Sequence, residues 1–450
     1  MDMTELSRAG SLPDRPQSGF SPRPPITLED TGLPAAWLNR LLLRHLYVAG
    51  DLRLSSLSAR LLLPVSLLET LIGKFRMAKL IEPVDTGPSS AEWTFSLTDS
   101  GRARAAEAYA QCRYVGPAPV SLDSYRRSIA ARADPASPGR DQLGETFKSL
   151  ALDDSTFEQL GVALASQRSF VVHGPPGSGR SALVGRLAAI SRGTVWLPHA
   201  VFAGDQVVRV FDPEVHQPAA VFPDHGEQPL PIDWSAQGMT RSVDGRWVEC
   251  REPVVMVDGA MPEGCRSEGR SLSDGSIDPP AYVKASPGTI IIDNARGRAS
   301  NRLLRRLEQA IESGRCVVPV DGQRPIDLPL RARLVTVEPR PPARNGQKAS
   351  ITRMTHAVSV GPLSVGSYRH AAQLAANKYG LKCDSNALDC LLALHGRADG
   401  IPRLGSIPDA LFRRIAARSQ WLNARPVIDR NQLDWAWQEI FGSNATGGAR

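Results

Sequence analysis

The octapeptide GPPGSGRS, Gly174 to Ser181, carries the residue types and spacing with the clearest chemistry in the chain. It differs by one residue from the phosphate cradle G-x-x-x-x-G-K-[ST], with Arg180 standing where lysine is expected. In such a loop Gly174, Gly177 and Gly179 let the main chain approach phosphate oxygens and adopt positive φ, and successive N–H groups then surround an anion. Pro175, Pro176 and Ser178 complete the candidate cofactor-binding segment, and Ser181 supplies the hydroxyl expected on Mg²⁺. Arg180 keeps the positive charge, but a planar fork is bulkier than an ammonium and aims its donors differently. The substitution therefore predicts retained binding and poor alignment of a γ-phosphate. Two other readings share these letters. Gly177, Gly179 and Ala182 fit the dinucleotide fingerprint G-x-G-x-x-[GA], which calls for an acidic residue about 20 positions on; none stands before Asp205. A Gly/Pro turn with no ligand is the other.

The second chemical feature is PGTIIIDNA. A β-branched run ends at Asp293, as expected of a strand that delivers a Mg²⁺-binding carboxylate at its carboxyl edge. Asn294 follows, where a hydrolase usually carries an acid; an amide orients water but accepts no proton at neutral pH. Read alone, the segment also fits a buried strand closed by an Asp-Asn turn. Its separation from the glycine loop, with strands between the two, favours a shared site.

The elements that must position these residues follow from periodicity. SFVVH runs directly into the loop, SALVGRLAAI reads as the following helix, and TVWLP, VVRVF, PVVMVDG, TIIID and RLVTVEP read as further strands. With the helix NRLLRRLEQAIESG between the last two, the pattern predicts an α/β core, a parallel sheet flanked by helices, over 141–365. Residues 203–285 are Pro/Gly-rich and weakly periodic, and read as an insertion carrying hairpins. Residues 366–440 show four helical patterns and no strand, a small α-helical lid. Before the core, 26–112 reads as three helices (LPAAWLNRLLLRHLYVAG, LSSLSARLLL, and PVSLLETLIGKFRMAKL behind Pro64), then a hairpin of LIEPV and EWTFSLT, then a helix capped by Asp99 or Ser100. That is a winged-helix order. Residues 1–25, 113–140 and 441–450 read as a disordered lead-in, a partly ordered linker and a frayed tail.

Composition bounds the function classes. At 450 residues the chain has room for about three domains. It has no apolar run of eighteen residues and no apolar signal core, so neither membrane insertion nor export is expected. Six scattered cysteines without a C-x-x-C pair suggest reduced thiols and a cytoplasmic setting, and the histidines lack metal-ligand spacing. A net charge of +7 permits an anionic partner without demanding one.

From Thr27 to Trp437 the chain resembles a bacterial family of AAA+ ATPases with an amino-terminal winged-helix domain. The resemblance rests on LEDTGLPAAWLNRLLLRHLYVAGDL, SLTDSGRARA, YVGPAPVSLDSY, VVHGPPGSGRS, VRVFDPEVHQP, GRWVECREPVVMVDG, IIIDNA and LDWAWQEIF. It implies a P-loop AAA+ core with a helical lid, ATP or ADP with Mg²⁺ as cofactor, a protein partner, and sites that lie between subunits where the chain forms a homo-oligomeric ring. Carried over residue by residue, it makes Arg353 in ITRM an arginine finger and Arg403 in GIPR a second sensor. The family's P-loop lysine falls on Arg180, its second strand-end acid on Asn294, and its polar sensor within Thr336 to Glu338, where no Asn stands. Three altered positions in one site imply impaired hydrolysis and a regulatory or scaffolding role. An active ATPase that remodels a protein, or a DNA-binding regulator, remain the alternatives. For the last, Lys74, Arg76 and Lys79 lie on the third helix, with Leu67, Leu68, Leu71 and Phe75 as its core side. Arg302, Arg305 and Arg306 on a later helix read as a solvated face.

Overall fold

The computed structural model describes residues 19–132, 137–190, 193–219, 243–258, 268–293, 297–320, 322–341, 356–397 and 400–442. At its centre five parallel strands lie in the order Val254–Asp258, Gly288–Asp293, Ala332–Glu338, Phe170–His173, His356–Ser359. Their apolar runs are nearly continuous because both faces are covered. Side chains alternate between two cores. Ile290, Ile292 and Leu334 pack with Leu303, Leu304 and Leu307 of the Gly297–Ser313 helix. Phe170, Val172, Ile291, Val335, Val337 and Val358 face the helices Arg140–Phe147, Asp154–Ala165 and Arg180–Gly185. The loop-bearing strand is central, between Ala332–Glu338 and His356–Ser359, so the loop emerges mid-edge with walls on both sides. His356–Ser359, four residues long, is a strand not among those expected from the sequence.

Two of the expected core strands pair elsewhere. Thr194–Pro198 runs antiparallel to Trp247–Arg251, and Gln206–Arg209 forms a hairpin with Ala200–Ala203. That hairpin belongs to a second five-stranded sheet, with Arg270–Ser271 and Ile277–Asp278 on one side and Val120–Ser121 on the other. The 203–285 segment is therefore more than a decorated insertion: Val208, Trp247, Ile277, Tyr282 and Val283 join the largest core, and Val254–Asp258 edges the central sheet. The expected linker is likewise built in, because LDSYRRSIA is amphipathic and buries Tyr125 and Ile129 from the Leu122–Ala130 helix. Of the expected lead-in, residues 19–25 are packed: the Phe20 ring lies 5.1 Å from that of Trp247, and Pro22 O accepts from Asp244 N at 3.0 Å.

The amino-terminal unit comprises helices Ala35–Ala49, Leu54–Leu61, Val65–Met77 and Asp99–Gln111 around a leucine core, with a three-stranded antiparallel sheet in the order Leu52–Arg53, Thr94–Leu97, Ile81–Asp85. Pro64 precedes the third helix and Gly50 closes the first. The fourth is capped by Thr98, whose hydroxyl accepts from Gly101 N at 3.1 Å, not by Asp99 or Ser100; Thr98 is the last extended residue, and both others already lie in the helix. The carboxyl-terminal unit is four helices, Val365–Lys378, Ser385–Arg397, Ser406–Trp421 and Arg430–Phe441, around their own core. No single helix among the described residues is long and apolar enough to cross a membrane.

Candidate functional site

The glycine loop leaves the Phe170–His173 strand and turns into the Arg180–Gly185 helix. Gly174 N donates to Glu338 O (3.2 Å), and a Cβ at Gly174 would lie 2.0 Å from Val360 O. Gly177 takes φ 83°, and a Cβ there would lie 2.5 Å from Ser406 Oγ; Gly179 caps the helix at φ 97°. Each glycine is thus required by a close approach or by a left-handed backbone.

The loop forms one wall of a cleft of about 660 Å³. Gly177 to Ala182, including Arg180 and Ser181, face it from the sheet side. Leu150 and Leu152 line a second wall; Ala371, Leu374, Ala375 and Lys378, one face of the Val365–Lys378 helix, line a third with Ser406 and Asp409. Ser406 N donates to Gly177 O (3.2 Å), tying the helical unit onto the loop. Pro175 and Pro176 stand behind the loop and do not line the cleft.

Ser178 is 6% exposed and its Oγ has no hydrogen-bond partner. Leaving a buried hydroxyl unpaired costs about 1–3 kcal/mol, and the Oγ packs inward, 3.1 Å from where a Cβ on Gly174 would lie. The residues lining the cleft fit a phosphate on other grounds: the backbone of Gly177 to Ser181, the Ser181 side chain and Arg180. Arg180 also acts on its surroundings, since burial and then its charge hold the His173 imidazole below its ordinary pKa, keeping it neutral near pH 7.

The strand ends place acids along the same edge. Asp293 pairs in register with Asp258, and Glu338 with His173. Asp293 lies at the end of a strand two places from the loop's own strand, with Ala332–Glu338 between them. Thr336 is buried within that intervening strand, so Glu338 is the polar group its end presents. Asp258 and Glu338 are acids that motif spacing does not single out, although VVMVD and LVTVE repeat the apolar-run-then-acid pattern of TIIID. Asn294 and Arg353 lie outside the described residues. Arg403 is turned away from the cleft: its Nε donates to Leu363 O (3.0 Å) while Leu363 N donates to Arg403 O (2.7 Å), a clasp where the helical unit joins the sheet. The cleft's lid-side charges are instead Lys378 and Asp409, paired at 2.7 Å, with Tyr379 Oη also donating to Asp409. No sequence motif marks them.

A glycine loop at the end of a central parallel strand, acids on the neighbouring strand ends and a helical unit closing the cleft define a P-loop α/β fold of the AAA+ type. The profile of a family described as a domain of unknown function (DUF8689) matches residues 364–439, the helical unit. No curated protein matches the chain. Similar solved structures include a single-residue mutant of Thermotoga maritima RuvB, 13% identical with TM-score 0.35, covering 71% of this chain and 77% of that one. The Thermotoga maritima RuvB Holliday junction branch migration motor is 11% identical with TM-score 0.33, covering 70% and 73%. NtrX from Brucella abortus is 12% identical with TM-score 0.34, covering 65% and 52%.

Proposed function

We propose that the protein binds ATP or ADP with Mg²⁺ in the cleft over the glycine loop, hydrolyses it slowly or not at all, and works as a regulatory or scaffolding subunit of a protein assembly. The glycine loop that leaves the Phe170–His173 strand and lines that cleft together with Arg180 and Ser181 carries the reading. The loop N–H groups and Arg180 hold the phosphates, the apolar wall of Leu150, Leu152 and Leu374 suits a base, and Ser181 with Asp293 holds the metal. Arg180 in place of lysine and Asn294 in place of an acid argue against efficient transfer. Arg353, as a finger, would act on a neighbouring subunit's site, which makes ring assembly part of the proposal.

Calorimetry with Mg·ATP and Mg·ADP, run beside mass measurement, tests occupancy and assembly together. Turnover near ~1 per second, ordinary for enzymes, would sink the impaired-hydrolysis reading in favour of an active remodelling ATPase. The double variant Arg180→Lys, Asn294→Asp is expected to raise hydrolysis; a variant that binds ATP yet stays inert places the fault at the sensor and finger positions. Asp293→Ala is expected to weaken Mg²⁺-dependent binding, and unchanged affinity removes the metal assignment.

A DNA-contact reading of the amino-terminal unit, taken as a winged helix, has one supporting observation. Lys74, Arg76 and Lys79 are all exposed at the end of the third helix, and Arg76 stacks over the Trp93 ring at 5.6 Å. Absence of salt-dependent binding to duplex DNA would remove it.

A further inference from the structure

A second cleft, about 510 Å³, lies between the amino-terminal unit and the Ala200–Arg209 hairpin, far in sequence from the glycine loop. Its floor is the Ala35–Ala49 helix, which is almost wholly leucine on its buried side but carries Arg40 and Arg44 one turn apart. Residues at i and i+4 share a face, so both guanidiniums reach the same space.

Arg44 is 1% exposed. Its Nε donates to Arg40 O (3.2 Å), its Nη1 to Cys112 O (3.1 Å), and its Cζ lies 5.3 Å from the Trp37 ring centre. Trp37 is itself held against Phe202 of the hairpin at 5.0 Å. Arg40 donates from Nη1 to Gln111 Oε1 (3.2 Å). Among the described residues neither arginine forms an ion pair with a carboxylate. A cation buried this far is costly without a counter-charge, and two carbonyls and an aromatic face offset only part of that cost. Burial accordingly lowers the Arg44 pKa. Arg44 nonetheless lines the cleft, beside the Cys112 side chain, so its charge is felt there while the exposed Arg40 is the side chain a ligand meets first.

The rest of the lining mixes amides with the apolar Trp37, Ala108 and Val207. Gln111, Gln206 and Gln323 face the cleft, with Gln206 Nε2 donating to Gln323 Oε1 and Gln323 Nε2 donating to Ser271 Oγ at 3.0 Å. Asp205, at the hairpin tip with φ 66°, adds one exposed carboxylate to the rim. The volume is that of a small-ligand site, and the position, between two units of the fold, is where such sites concentrate.

We propose that this cleft binds a small anion carrying carboxylate or phosphate groups, held by the Arg40 and Arg44 guanidiniums with amide donors around it. Nε and Nη1 of both arginines already donate within the protein, Arg40 Nε to Ala36 O at 3.3 Å, so the attraction for an oxyanion is chiefly that of two guanidinium charges on one helix face. The Asp205 carboxylate sets the upper limit on ligand charge and disfavours long polyphosphates. Because the walls come from two units, an anion seated there bridges them.

The test uses the full chain at low salt, saturated with ADP to fill the glycine loop, titrated with citrate and separately with inorganic phosphate and followed by calorimetry and thermal shift. Saturable binding by either anion is expected, and which one binds identifies the ligand group. Arg40→Gln, at an exposed position whose loss buries no charge, is expected to weaken that binding about tenfold, while Asp205→Asn tightens it severalfold. No saturable binding by either anion overturns the proposal. So does binding indifferent to Arg40→Gln and Asp205→Asn, since the anion is then held elsewhere.

Discussion

Two residues carry information that no motif holds. Ser178 is the first: within the octapeptide it occupies a position open to any residue, yet the fold buries it and leaves its hydroxyl unpaired. Removing an unsatisfied buried hydroxyl relieves its desolvation cost, so Ser178→Ala is expected to stabilise the ligand-free protein by about 1 kcal/mol. The gain should appear as a raised urea midpoint without nucleotide, and an unchanged or lowered midpoint would show that the hydroxyl is not a cost to the fold. His45 is the second. It is 2% exposed with Nε2 3.0 Å from Gly116 O, and burial, with the charges of Arg60 and Arg44 as lesser causes, pushes its pKa down to about 4. The unfolded chain binds this proton near pH 6.5, so between pH 6.5 and 4 the unfolded state holds more protons and stability falls as pH falls. At pH 5 the loss from this group is about 2 kcal/mol relative to pH 7. His45→Gln keeps a donor for Gly116 O and removes the titration, so its stability is expected to change less between pH 7 and 5; an identical slope would refute the assignment. The Gly174, Gly177 and Gly179 loop is legible from letters alone because the positive φ values of Gly177 and Gly179 are local demands, although the Val360 and Ser406 contacts that also require glycine are not. Ser178's isolation and Arg403's turn toward Leu363 O are not legible, since each depends on where the helical unit docks.

At the scale of elements, the helical unit and the glycine loop are one device. Gly177 touches Ser406 in two ways, through its carbonyl and through the space a Cβ would need. Gly177→Ala would strain a backbone at φ 83° and push Ser406 outward, at a cost of about 1–2 kcal/mol. Nucleotide affinity should fall with it; a variant that loses stability but binds Mg·ATP like the native protein would show that this contact does not shape the cleft. The four helices of that unit are legible because long 3.6-residue periods survive any docking geometry. Strands are less so. TVWLP and VVRVF have the composition of core strands, but Thr194–Pro198 and Gln206–Arg209 pair antiparallel outside the central sheet, and pairing partners are a long-range property that a five-residue run does not encode. His356–Ser359 carries only a weak signal, Val358 and Val360 alternating with Ala357 and Ser359 over a run too short to read, and its pairing with Phe170–His173 makes it a strand.

At the scale of the whole molecule the question is what couples the amino-terminal unit to the sheet that holds the loop. A buried ion pair lies at that junction. Arg246 Nη2 and Asp244 Oδ2 are 2.8 Å apart, Arg246 Nε reaches both Asp244 oxygens at 3.1 Å, and the two side chains are 5% and 2% exposed. The remaining donors are spent on joining segments: Nη1 donates to Thr31 O and to Pro119 O, each at 3.2 Å, while Asp244 N donates to Pro22 O. One guanidinium thus fixes the 244–246 turn to the entry of the amino-terminal unit and to the segment leaving it. This explains why the stretch read as a linker is ordered where it passes Pro119. Breaking a buried pair by removing one partner leaves a charge uncompensated and costs about 3–5 kcal/mol. Arg246→Met is therefore expected to destabilise by that order and to split a single calorimetric transition into two, the amino-terminal unit melting first. Adding Asp244→Asn removes the stranded charge and should recover part of the loss, a coupling a double-mutant cycle reads directly. If Arg246→Met instead unfolds in one transition with a loss under about 0.5 kcal/mol, the junction is held by the Trp37–Phe202 contact and its neighbouring leucines. Any signal passing between the glycine-loop cleft and the amino-terminal unit would then have to run through that apolar seam.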